Sequence, residues 1–430
     1  MNRSICILTF ALAAPVFSKE APALPADLSG YQLAPAPAAS ELILKKGDRL
    51  AICGDSITEQ KRYSVIMESY LAACVPDLEI TCRQYGWGGE QAGGFLGRMK
   101  SDVLRFEPTI ATTCYGMNDF RYVPFDQGIA DEYRKNETIM VGKFKEAGSR
   151  VLLGSPGIID TVPHWVQSAA GTKEDLNLSL AQFRNIGIEI ANQENVYFAD
   201  VFRPMLLANH TAHTKYGPGF MVAGKDGVHP GWAGQIVMAY AFLKGMGLDG
   251  DLGTITYDAK ADTAAASNGH VIVKSENGNI TIKSSRLPFC SEPGDVANDD
   301  TISAGRALSP FDDELNRFTL KISNPTAAEY TVSWGDTSNT YSGRELQEGI
   351  NLAKDFQANP LLPAFKKVWD AVAAKQDYET RQIKSLVHGP EGAADLDATF
   401  ALTEKTRAPL AEAVKNALTA TEHVVTVTAK

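Results

Sequence analysis

The chain has 430 residues, with 41 basic and 51 acidic side chains and a formal charge of −10; this length calls for two or three domains. Apolar residues at 44% and charged residues at 21% are the balance of a protein with a large core, and they exclude collagen-like, coiled-coil and disordered organisation. The acid excess weighs against nucleic acid or an anionic membrane as partner, because phosphates are neutralised by clustered Lys and Arg. No run of about 18 apolar residues is present to span a bilayer.

At the start, Arg3 precedes an apolar stretch from Ile5 to Phe17, and Val16-Phe17-Ser18 fits a small-residue cleavage site before Lys19. Residues 1–18 are therefore expected to be a signal peptide, and the protein to be secreted or periplasmic. Pro15 disfavours the alternative of a buried N-terminal helix. Residues 19–47, rich in Ala and Pro, read as a linker. With Cys6 in the leader, Cys53, Cys74, Cys82, Cys114 and Cys290 remain, too few for a disulfide scaffold and odd in number. In an oxidising compartment a Cys74–Cys82 bridge is one expectation, since a helix end and the next strand could bring them together. Cys53 and Cys114 read as buried apolar residues.

From residue 48 to 250 short apolar runs alternate with helical patterns. The runs are Leu50–Cys53, Leu78–Cys82, Ile110–Tyr115, Val151–Leu153 and Val196–Ala199. Tyr63, Ile66, Met67, Tyr70, Leu71 and Cys74 recur at the spacing of one helix face, and a last apolar helix runs from about Ala233 to Met246. Such alternation implies an α/β domain, a parallel sheet covered by helices on both faces, with ligands at the carboxyl ends of the strands. Residues 251–342 carry short β-type runs, with Asn277-Gly278 as a hairpin turn, and read as a small β-rich accessory domain. Residues 343–430 read as a helical C-terminal region through Glu345–Gln357, the stretch around Phe365, Val368, Trp369 and Val372, and Ala408–Leu418, with Gly349 weakening the first. This region either stands apart or packs back on the first domain.

Four motifs fall in order after strands or before the last helix. Gly54-Asp55-Ser56-Ile57-Thr58 follows the first strand, Gly86-Trp87-Gly88-Gly89 the second, Gly116-Met117-Asn118-Asp119 the third, and Asp226-Gly227-Val228-His229 precedes the final helix. On these blocks the chain resembles the SGNH/GDSL hydrolase family over roughly residues 48–248. The resemblance implies a flavodoxin-like three-layer αβα sandwich and assigns roles by position. Ser56 matches the nucleophile, His229 the general base and Asp226 the carboxylate before it. Ser56, Gly89 and Asn118 match the oxyanion hole. Gln84 stands where the family commonly has Asn.

The chemistry is consistent with that assignment. A serine hydroxyl attacks only when a base within hydrogen-bond reach takes its proton, and a carboxylate-oriented histidine can do so at neutral pH. No metal or organic cofactor is needed. Taken singly, Ser56 could cap a helix, Gly89 could serve its turn, Asn118 could be a turn residue, and Asp226 with His229 could form a surface turn. His210 and His213 suggest a metal pair but lack an accompanying acidic or Cys cluster. No G-x-S-x-G elbow, dinucleotide fingerprint or P-loop is present.

The expectation is a serine ester hydrolase, best matched to an acetylated carbohydrate. Lipid or thioester hydrolysis and a non-catalytic binding protein on the same fold are the alternatives. Asp55, Trp87, Arg121 and Trp165 are candidate substrate contacts, because aromatic faces among polar groups suit a sugar ring. Trp87, Trp165 and Trp232 could form a sugar platform, or pack in the core.

Overall fold

The computed structural model describes residues 23–167, 171–267 and 269–430; the expected signal peptide lies outside the described residues. Its first sheet is built from the apolar runs, as β1 (Arg49–Gly54), β2 (Thr81–Gln84), β3 (Ile110–Cys114), β4 (Arg150–Gly154) and β5 (Tyr197–Ala199). β1 and β3 are buried along nearly their whole length, as strands covered on both faces must be. All neighbouring strands are parallel, in the order β2-β1-β3-β4-β5. The chain leaves β1 for one edge at β2 and then returns past β1 to β3. That reversal opens a crevice at the carboxyl ends of β1 and β3, the switch point where ligands bind in open α/β sheets.

The helices of this part are α1 (Ser56–Glu59), α2 (Tyr63–Ala73), α3 (Ala92–Arg98), α4 (Gln127–Glu146), α5 (Lys173–Glu194), α6 (Phe202–Tyr216) and α7 (Trp232–Gly245). α3, α4 and α5 pack in series, as do α2, α7 and α6, and the sheet with these helices forms the expected α/β sandwich. Residues 19–47 were expected to be a linker, but the described part is a strap on this domain. Tyr31, Ile43 and Leu44 are buried, and Arg184 Nη1 on α5 donates to the Ala34 carbonyl at 2.9 Å.

The accessory region follows as β6 (Asp251–Asp258), β7 (Thr263–Ala266), β8 (His270–Glu276), β9 (Asn279–Ser284), α8 (Ile302–Leu308), α9 (Phe311–Glu314), β10 (Arg317–Ser323), β11 (Glu329–Trp334) and β12 (Thr337–Ser342). Then come α10 (Gly343–Glu348), β13 (Ile350–Asn351), α11 (Leu352–Asp355), α12 (Leu362–Arg381), α13 (Pro390–Ala394), α14 (Leu396–Ala417) and β14 (Thr421–Ala429). Asn277 and Gly278 turn the β8–β9 hairpin with φ of 52° and 74°, the two positive values such a turn requires.

The strands form two sheets, β13-β10-β6-β7 and β12-β11-β14-β9-β8. Two elements depart from the helical reading of 343–430. The expected helix Glu345–Gln357 breaks at Gly349, whose φ is 106°, and β13 lies between its halves. The chain also ends in a strand: His423, Val425 and Val427 alternate inward, and β14 fills the gap between β11 and β9.

The C-terminal helices pack back on the α/β domain. Ten of the eleven residues of α2 are buried, which an outer helix achieves only when another element covers it; α12 is that cover. Between them Lys375 donates to Glu379 at 2.8 Å and to the Cys82 carbonyl at 2.9 Å. Lys375 also pairs with Glu68 at 3.1 Å, and Arg407 on α14 pairs with Glu379 at 2.7 Å. Removing one member would leave a buried charge uncompensated. The expected Cys74–Cys82 bridge is absent, since both are free, buried thiols. Cys82 lies among Glu68 and Lys375, whereas Cys74 faces Cys290 and Arg286.

Candidate active site

The switch-point crevice collects all four motifs. β1 ends at Gly54, and Asp55 caps α1 by accepting from the Ile57 N–H at 2.9 Å, which puts Ser56 at the first position of that short helix. From the turn before α7, His229 Nε2 reaches Ser56 Oγ at 2.7 Å, and His229 Nδ1 reaches Asp226 Oδ2 at 2.7 Å. The other Asp226 oxygen accepts from the Val228 and His229 N–H groups, both at 2.9 Å. Burial pulls the Asp226 carboxyl up, but the N–H groups of His229 and Val228 and then the imidazole outweigh it, leaving its pKa below the usual carboxylate range. Gly227 permits this turn: its φ is +86°, and a Cβ there would stand 2.3 Å from the Thr161 carbonyl oxygen.

The second and third motifs close the other side. Asn118 Nδ2 lies 3.1 Å from the Glu90 carbonyl and 3.4 Å from Asp55 Oδ2. It therefore sits between the residue before Ser56 and the residue after Gly89. Gly89 has φ +72°, with no atom within 4 Å of where a Cβ would stand. Among the described residues, neither the Ser56 nor the Gly89 N–H meets a protein acceptor. Asp119 ties the two loops together, accepting from Gly116 N and Ala92 N, both at 2.9 Å. Burial raises its carboxyl to about 6. Burial, reinforced by Asp119 and Glu90 and opposed by the Ile57 N–H, brings Asp55 to about 7. Gln84 Nε2 donates to the Thr58 carbonyl at 2.7 Å, so its longer side chain braces α1 against the second motif.

The four candidate substrate contacts separate. Trp165 is 38% exposed and its ring stands 5.9 Å from that of His229, on the rim of the crevice. Asp55 is buried behind Ser56. Arg121 is turned outward to Glu132 at 2.5 Å. Trp87 is engaged by the C-terminal region, with the His388 ring 5.0 Å away, edge-on, and Lys384 Nζ 5.2 Å from its ring centre. Tyr122 completes the rim. Arg121 and Tyr122 both hold left-handed φ values, 56° and 53°, a strained pairing for bulky residues. Burial, then the nearby charges of Asp55 and Asp226, raises the Tyr122 phenol.

Sequence reading missed what supports this geometry. Glu59 accepts from the Gly88 N–H at 2.5 Å and from Lys384 Nζ at 2.6 Å, joining the helix that begins at Ser56 to the loop that carries Gly89. Glu90 is held by Arg98 through two bonds of 2.6 Å and by the Tyr115 hydroxyl at 2.8 Å. His388 Nε2 lies 2.7 Å from Asp102, which faces Arg98 at 3.5 Å. Lys384 and His388 stand some 300 residues from the loop they brace, and no local pattern marks them. His210 and His213 do not converge. Both lie on α6, with His210 beside Asp27 at 3.2 Å and His213 against the Phe220 carbonyl at 2.9 Å. Among the described residues, no group of three or more His, Cys, Asp or Glu is placed to hold a metal ion.

Residues 52–236 match the model of the GDSL-like lipase/acylhydrolase family. An acetylxylan esterase of Geobacillus stearothermophilus is 25% identical over 225 residues, spanning 47% of this chain and 95% of the esterase. The crystal structure of Axe2, an acetylxylan esterase of the same organism, is 23% identical, with TM-score 0.40 over 48% of this chain and 97% of its own. The structure of a gut microbial diltiazem-metabolizing enzyme is 21% identical and covers 90% of this chain and 98% of its own, with TM-score 0.70. That likeness of fold takes in the accessory and C-terminal regions as well as the α/β domain.

Proposed function

We propose, on the GDSL-like lipase/acylhydrolase domain that residues 52–236 of this chain form, that the protein is a serine esterase that removes acetyl groups from a carbohydrate. The observation that carries the reading is the unbroken relay Asp226–His229–Ser56, with both links at 2.7 Å. His229 Nε2 accepts the Ser56 proton as Oγ attacks the ester carbonyl carbon. Asp226 keeps the ring oriented and stabilises the imidazolium. The oxygen that gains charge is met by the Ser56 and Gly89 N–H groups and the Asn118 amide, each worth roughly 3–4 kcal/mol of the barrier. His229 then returns the proton to the departing sugar hydroxyl. Water, deprotonated by the same nitrogen, releases acetate from Ser56.

The acetyl–carbohydrate reading is supported by the polar and aromatic rim of Trp165 and Tyr122, and by the acetylxylan esterase relative. A long acyl chain would need an apolar channel to bury its methylenes at roughly 0.8 kcal/mol each. The leader-like start from Arg3 to Ser18 supports action outside the cytoplasm. The test is release of acetate from acetylated xylooligosaccharides, with kcat/KM measured for 4-nitrophenyl esters from acetyl to octanoyl. Ser56→Ala and His229→Ala should abolish turnover, and Asn118→Ala should lower kcat about a hundred- to a thousandfold. Near-normal hydrolysis by folded Ser56→Ala would refute the mechanism. Specificity that rises with acyl length, without deacetylation of a glycan, would refute the substrate class.

A further inference from the structure

We infer that a cleft beside the histidine turn is a carbohydrate subsite, holding a sugar unit of the substrate away from the one that carries the ester. This rests on the esterase reading for its substrate but on separate residues for its location. The cleft has a volume of about 330 Å³, at the small end for ligand pockets (roughly 300–1,000 Å³) and suited to a small ring rather than a folded partner. Three parts of the chain meet there: Trp232 of the α/β domain, the connecting segment that includes Glu292 and Asp300, and Phe365 with Trp369 on α12.

The two indoles stand 5.6 Å apart at 47°, and both remain partly exposed. Partly exposed aromatic faces beside carboxylates are what a pyranose needs, since its C–H face packs on the ring while its hydroxyls donate to oxygen acceptors. The charges favour a neutral polyol over a cation. Asp370 is already paired with Lys366 at 2.6 Å and Asp300 with Arg62 at 3.1 Å, which leaves Glu292 as the lining acid without an ion pair among the described residues.

The cleft is also tied to the reacting centre. Trp232 follows His229 by three residues, so their Cα atoms are no more than about 11 Å apart. Asp300 Oδ1 accepts from the Trp232 N–H at 3.0 Å, and the Asp299 carbonyl accepts from Ala233 N at 3.3 Å. A Cβ on Gly231 would stand 2.9 Å from Asp300 Oδ1, so the connecting segment lies directly on the turn that carries the histidine. An oligosaccharide with its ester at Ser56 would reach Trp232 within a few units.

The experiment measures binding of unacetylated xylohexaose and chitohexaose to the full chain carrying Ser56→Ala, by calorimetry, with tetramethylammonium as a cationic probe. At least one hexasaccharide should bind. Adding Trp369→Ala should weaken it at least tenfold, while Trp369→Phe keeps most of the affinity. Glu292→Trp, which fills the mouth from an exposed position, should weaken binding equally without touching the core. In the active protein, Trp369→Ala should raise KM for an acetylated xylohexaose by a larger factor than it lowers kcat. Absence of binding by both sugars, or binding that neither Trp369→Ala nor Glu292→Trp alters, would overturn the subsite. Tetramethylammonium binding in place of the sugars would overturn the ligand class. Sugar binding without any ester hydrolysis would refute the esterase reading and leave the subsite standing; hydrolysis without sugar binding would do the reverse.

Discussion

A chain of four buried side chains in the accessory sheets should make β14 labile in acid. Trp334 Nε1 can only donate, and it points at His423 Nδ1 at 3.1 Å. His423 Nε2 therefore carries the hydrogen and donates to Ser284 Oγ at 2.8 Å. Ser284 in turn donates to His270 Nδ1 at 2.8 Å, and His270 Nε2 donates to the Leu252 carbonyl at 2.7 Å. The order holds only while both imidazoles are neutral. Burial, with a smaller push from His270, brings His423 down to about 3, and burial also lowers His270.

The unfolded chain would bind a proton at His423 near pH 6.5, so stability is full above that pH and falls as pH drops toward 3. At pH 4.5 the loss from His423 alone is two pH units at 1.36 kcal/mol each, about 2.7 kcal/mol, or a hundredfold in the opening equilibrium. The perturbation is His423→Gln, whose amide oxygen can accept from Trp334 and whose NH₂ can donate to Ser284. Hydrogen–deuterium exchange of peptides covering 421–429, corrected for intrinsic rates, is compared at pH 8 and pH 4.5. Wild-type protection should fall about a hundredfold more than that of the variant. An equal fall in both proteins would refute a neutral, buried His423.

Lys384→Met should lower kcat for 4-nitrophenyl acetate about fivefold with KM little changed, because a partly buried ion pair worth about 1 kcal/mol no longer steadies Glu59 against the Gly88 N–H; Lys384→Arg should restore it. Gly227→Ala should cost roughly 1–3 kcal/mol and lower both Tm and turnover, since its φ of +86° and the Thr161 carbonyl leave no place for a methyl group. Unchanged melting and activity would refute that account. The five described thiols are buried, and burial raises their pKa values. A disulfide-exchange reagent should therefore leave the native protein untouched and titrate Cys53, Cys74, Cys82, Cys114 and Cys290 in denaturant. Two fewer would reveal a bridge.

The α/β part was legible from the sequence because its signals are local. Apolar runs such as Ile110–Tyr115 read as strands of a sheet covered on both faces, and each motif sits within a few residues of a strand end or helix start. The alternation implies a parallel sheet, whereas the order β2-β1-β3-β4-β5 that brings Ser56 and Asn118 together is implied by the family resemblance and seen in the structure. The helical reading of residues 343–430 does not contain β14, although His423, Val425 and Val427 alternate as a strand should. The placement of the C-terminal helices was signalled only indirectly, by an α2 too apolar for an exposed helix.

What the sequence by itself determined is the identity and order of the groups brought to the crevice: Ser56, Gly89, Asn118, Asp226 and His229. What only the tertiary structure decided is which distant groups hold them. Lys384 braces Glu59, His388 packs on Trp87, and Trp369 meets Trp232 across more than a hundred residues of chain. Periodicity and capping report on neighbours along the chain. These contacts arise because α12, which carries Trp369, covers α2, and the chain just beyond its end carries Lys384 and His388, a consequence of packing that no local pattern records.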